Sequence, residues 1–175
     1  MPKPRKMLGK WESPYIQSLV KLIETQSKAT IANWCISYAE VHILTIFQKS
    51  FPDDGRPQAA LDAARDWLEG KIKLPAVKKI ILDAHAAARE AEAIPAAQAA
   101  ARSVGQAAAT IHAPTHSIGL AFYGAAAVAY DRAGIDAGPE VYEQLAAEEC
   151  AKMEAALRAL AVENEPNPAK LNWNC

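Results

Sequence analysis

Apolar residues along this chain recur every three or four positions, the spacing of one face of an α-helix, and the runs are broken by proline and glycine. The first run opens at Ser13-Pro14 and carries Tyr15, Leu19, Leu22 and Ile23. The second extends from about Ser27 to Phe47, with a main stripe of Ile31, Trp34, Cys35, Tyr38, His42 and Ile46. Ile36, Ile43, Leu44 and Phe47 cover its other sides, which predicts a largely buried helix. The third, Pro57 to about Lys71, turns Leu61, Ala64 and Leu68 inward and Asp62, Asp66 and Glu69 outward, and Gly70 stops it. The fourth starts near Pro75 and presents Val77, Ile81, Ala84, His85 and Ala88. The fifth follows Pro95 and carries Ala97, Ala101, Val104, Gly105, Ala108, Ile111 and His112. The sixth, Pro114 to about Ala133, is apolar on all sides and is expected in the middle. Gly134 and Gly138 separate it from the seventh, Pro139 to about Ala161.

This pattern predicts an all-α fold: a single compact bundle of about seven mostly antiparallel helices over residues 13–161. A basic N-terminal arm, residues 1–12, precedes it, and an extended tail, residues 162–175, follows, with Leu171 and Trp173 able to pin the tail to the surface. Alanine makes up about a fifth of the residues. It is the best helix former and brings almost no side chain, so an alanine-rich core implies closely packed helices.

Charge and cysteine content narrow the function. A net charge of −1 argues against a general nucleic-acid binder, despite the basic cluster Lys3, Arg5, Lys6 and Lys10. Cys35, Cys150 and Cys175 make an odd number, which predicts a reducing compartment without disulfides. The N-terminus lacks the apolar stretch of a signal peptide, and the longest uncharged run, Ser103 to Tyr130, is a poor bilayer span. The expectation is a cytoplasmic protein with no membrane segment.

Four polar residues fall on apolar stripes: His42, His85, His112 and Glu149. Glu149 is the least expected, because it points from the middle of the face formed by Tyr142, Leu145, Ala146, Met153 and Leu157. A buried carboxylate without a partner costs several kcal/mol, so Glu149 must be paired, protonated or exposed, and an arginine or one of the histidines could pair with it. Two readings stay open for these residues. One is a buried polar cluster that fixes helix register. The other is a pocket in which His85, His112, His116 and Glu149 serve an enzyme or a ligand- or metal-binding protein. His112 and His116 are four apart, but Pro114 lies between them, and neither Glu-x-x-His nor His-Glu-x-x-His occurs. No phosphate loop, dinucleotide fingerprint or nucleophile elbow can be assembled, so no cofactor and no catalytic residue is assigned.

The stretch Phe51 to Gly70 is a turn opening into a helix. Pro57 fits the first helical position, and Asp53 and Asp54 place acceptors beside the unpaired N–H groups of the first turn. Arg56 and Arg65 add cations, which suits capping and ion pairing or a binding surface. The run Asp53-Asp54-Gly55-Arg56-Pro57…Ala64-Arg65-Asp66-Trp67…Gly70 resembles the signature of the immunity-protein-five-like family of bacterial polymorphic toxin systems. Cys35…Tyr38-Ala39-Glu40…Leu44…Phe47, Ala84-His85…Glu90-Ala91 and Ala107…His112…His116-Ser117…Gly119 are similar to flanking helices of that family. The resemblance implies a non-catalytic protein that binds and neutralises a cognate toxin. Asp53, Asp54, Arg56, Asp62 and Asp66 are then the candidate partner-binding groups. Self-association through an alanine-rich face, giving a homo-oligomer, is a third reading.

Overall fold

Proline stands in the first turn of five α-helices, at Pro14, Pro57, Pro75, Pro95 and Pro139, where the N–H it lacks would have no helical partner. The computed structural model describes residues 3–174. Its α-helices are α1 (Pro14–Ile23), α2 (Lys28–Tyr38), α3 (Leu44–Ser50), α4 (Arg56–Leu68), α5 (Leu74–Glu90), α6 (Pro95–Ala109), α7 (Ser117–Ala133) and α8 (Pro139–Leu160). A π-helical turn, Ala39–Ile43, joins α2 to α3, so the two run on as one rod. A 3₁₀ turn, Pro114–His116, leads into α7. The described residues therefore form an all-α bundle of seven rods. None of the helices is long and apolar enough to cross a membrane. Cys175 lies outside the described residues.

Local chemistry sets the rod ends. The Ser27 hydroxyl accepts the Thr30 N–H at 3.2 Å and caps α2. Gly70 and Gly134, just beyond α4 and α7, have positive φ values of 74° and 71°, which an L side chain rarely adopts. Thr110 ends α6 by turning its hydroxyl onto the Ala107 carbonyl at 2.6 Å.

The hub is α6. Ten of its residues are buried, and the largest of them is Val104. It packs on α2, α3, α4, α5 and α7. The apolar-all-round rod, α7, lies against it, but Ile118, Phe122, Tyr123 and Val128 stay partly exposed. Small side chains let the backbones approach: a Cβ on Gly105 would stand 2.6 Å from His85 Cε1, and one on Gly124 would stand 2.8 Å from Met153 Cε. Around this hub the large side chains Trp34, Phe47, Leu61, Leu120 and Met153 are fully buried. The arm crosses α7, with Leu8 buried and its N–H donating to the Phe122 carbonyl at 3.2 Å. The tail returns over α1, where Trp173 Nε1 donates to Glu24 at 2.8 Å and its ring packs against Trp11.

Candidate functional site

The turn before α4 is a node of charge. Asp54 accepts the Arg56 backbone N–H at 3.1 Å, while the Arg56 guanidinium donates to both Asp54 oxygens at 2.9 and 2.7 Å. The same guanidinium reaches Glu90 on α5, 2.7 Å away. One helical turn from the end of α4, Arg65 grips Glu40 of the π turn with two parallel bonds of 2.6 and 2.9 Å. Gln58 bridges Glu40 and Asp62, each at 3.0 Å. Arginine hydrogen bonding accordingly holds the Glu40 and Asp54 carboxyls below their ordinary values. Two forks thus tie α4 to the π turn on one side and to α5 on the other.

Of the five candidate partner-binding residues, Asp54 and Arg56 are half-buried and engaged in this node. Asp53, Asp62 and Asp66 are exposed, and none of the three forms an ion pair among the described residues. Asp62 and Asp66 sit one turn apart on the outer face of α4, with Glu69 beyond them.

The four polar residues of the apolar stripes do not gather. Glu149 is buried at 4% exposure, and its partner is the Tyr38 hydroxyl, neither an arginine nor a histidine. Lys152 approaches its other oxygen at 4.0 Å. Burial, reinforced by the Glu149 hydrogen bond, raises the Tyr38 hydroxyl well above the ordinary tyrosine value. His42 lies tilted against the Tyr38 ring, with centroids 4.5 Å apart and planes at 38°, but is exposed. The π turn explains this: an i→i+5 turn carries one more residue than an α-turn, so the stripe resumes at Ile43 and leaves Val41 and His42 in solvent.

His112 is exposed as well, because α6 ends at Ala109 and helical spacing no longer applies three residues later. Its ring centroid lies 6.0 Å from that of His116, whose Nδ1 is 2.7 Å from Gln106 Oε1. His85 is half-buried over Gly105. Burial lowers all three imidazoles below the ordinary histidine value, and neighbouring cations or imidazoles lower His85 and His112 further. Among the described residues, no group of three or more His, Cys, Asp or Glu side chains is placed to hold a metal ion. The polar residues fall into two separate sets, one at the α2–α8 contact and one beside the α6–α7 turn. Cys35 and Cys150 are buried free thiols, raised by desolvation, Cys150 to about 12.

A family model described as Imm-5 like putative immunity protein matches residues 21–156. The chain belongs to this family. The match spans the last turn of α1 to most of α8 and takes in both arginine forks. It leaves out the arm that crosses α7 and the tail that returns over α1. No curated protein and no solved structure matches this chain.

Sequence reasoning named Arg56, Asp54 and Arg65 but not their distant partners. Glu40 and Glu90 both lie in segments that resemble the family's helices. What one sequence lacks is the register that brings those segments to α4.

Proposed function

We propose that this protein binds a cognate bacterial toxin and blocks it without chemistry of its own, acting in the cytoplasm of the producing cell. The observation that carries this reading is the family match over residues 21–156. The geometry supports a division of labour in the signature segment. Asp54, Arg56 and Arg65 frame α4 through Glu90 and Glu40; Asp62 and Asp66 are exposed on the outer face of α4, and Asp53 is exposed in the turn before it. Exposed carboxylates outside any ion pair steer a basic surface into contact and set the rate of encounter more than the final affinity. A toxin whose active site handles anionic substrates carries such a surface.

The test is direct. Growth of cells making a toxin domain encoded beside this gene is measured with and without the protein, and association of the purified pair is followed by stopped flow. The expected result is rescue, with association slowed about tenfold by the triple substitution Asp53→Asn, Asp62→Asn, Asp66→Asn. No binding by the unsubstituted protein overturns the function. Unchanged association by the triple variant overturns the assignment of the surface.

A further inference from the structure

The arm that the family match leaves out builds a cavity. Tyr130 donates its hydroxyl to the Arg5 carbonyl at 2.6 Å, and the buried Leu8 sits against α7. Gly9 turns the arm with a φ of 90°, and a Cβ there would stand 3.4 Å from the Phe122 ring. Between the arm and the α7–α8 corner this leaves a pocket of about 330 Å³. That lies within the usual range of small-molecule sites, about 300–1,000 Å³.

Apolar side chains and more cations than carboxylates line the pocket. Leu8, Tyr130, Ile135 and Tyr142 form the body, with the two tyrosine rings edge to face at 5.4 Å. Both tyrosine hydroxyls have backbone partners, Tyr142 accepting the Ala137 N–H at 3.1 Å and donating to the Gly134 carbonyl at 2.8 Å. The rings are thereby held in place. Arg5 and Lys10 also line the pocket, are exposed, and form no ion pair among the described residues. Lys3 is neutralised by Glu92 at 2.8 Å. Glu143, the carboxylate of the lining, already accepts the Tyr15 hydroxyl at 2.9 Å.

We propose that this pocket binds a small organic anion with an apolar body, its ring or chain between Leu8, Ile135 and Tyr142 and its charge at Arg5 and Lys10. The site is independent of the acidic face of α4. It joins arm residues outside the family match to Tyr130, Ile135 and Tyr142 within it.

Anilinonaphthalene sulfonate, an aromatic anion that fluoresces when its surroundings are apolar, is the probe. Titrated into the full-length native protein, it is expected to saturate at one molecule per chain. Octanoate displaces it and octylamine does not. The double substitution Arg5→Ala, Lys10→Ala weakens binding roughly tenfold, about 1.4 kcal/mol. Ile135→Trp, at a position already 46% exposed, fills the cavity and removes the saturable signal with far-UV circular dichroism unchanged. Four results overturn the proposal. They are no saturable binding, equal displacement by octylamine, binding indifferent to both variants, and a signal that appears only where the protein self-associates.

Discussion

Replacing Tyr38 by Phe removes one oxygen atom and tests the link between α2 and α8. Tyr38 and Glu149 are each 4% exposed, and 111 residues separate them in sequence. After the substitution the carboxylate keeps only Lys152, 4.0 Å away, with its side chain 63% exposed. A hydrogen bond to a charged group contributes about 1.5–3 kcal/mol, and the loss falls at the upper end when the orphaned group is buried. For a chain of this length each kcal/mol moves Tm by about 2–4 °C, so the expected fall is about 3–12 °C. Urea unfolding followed by far-UV circular dichroism reads the change directly, provided the m-value is unchanged. Tyr38→Phe combined with Glu149→Met removes both partners and leaves no buried carboxylate. It should recover most of the loss, with a coupling of at least about 1 kcal/mol in the cycle. A Tyr38→Phe cost below about 0.5 kcal/mol, the range of ordinary surface changes, would refute the reasoning, as would simple additivity in the cycle.

Two further outcomes follow from the hub and from the imidazoles. Gly105→Ala gains helix propensity but drives a Cβ to 2.6 Å from His85 Cε1, so the ring must swing out. The substitution should destabilise alone by about 1 kcal/mol and become neutral or stabilising when combined with His85→Ala, again by urea unfolding. His85, His112 and His116 all have lowered proton affinity in the folded state, burial first among the causes. The unfolded chain therefore takes up protons first as pH falls. Their contribution is whole above the ordinary histidine value of about 6.5 and is lost as pH drops through the folded values. Urea midpoints should fall between about pH 7.5 and pH 5.5, and the triple replacement by Asn should flatten that fall. A drop of the same size in the triple variant would place the cause elsewhere.

Helix positions were legible because local rules govern them. Prolines mark starts, Gly70 and Gly134 mark ends, and a 3.6-residue stripe fixes the buried face of a regular helix. The sequence reading went astray where regularity stopped. His42 left its stripe because the Ala39–Ile43 π turn inserts a residue, and nothing in local composition announces such a turn. His112 lay beyond the end of α6, where Thr110 and the approaching Pro114 close the helix. Glu149 was legible as a buried carboxylate, but its partner Tyr38 looked like ordinary core on the α2 stripe. The ion pairs of α4 were foreseen as local capping and charge pairing. Their other ends, Glu40 and Glu90, lie 25 and 34 residues away and depend on how three rods pack. The ligand pocket had no sequence signal, because it exists only where the arm lies over α7.

The hub helix has a consequence for how this scaffold can change over generations. On α6, ten buried positions carry side chains no larger than valine, and five neighbouring α-helices press on them. Enlargement there must push aside a neighbour's side chain or its rod, as a Cβ on Gly105 would push the His85 ring, so the centre tolerates few changes made singly. The outer faces of α4 and the arm bear no such constraint. Surface residues there can change without moving the axis on which the rods pack.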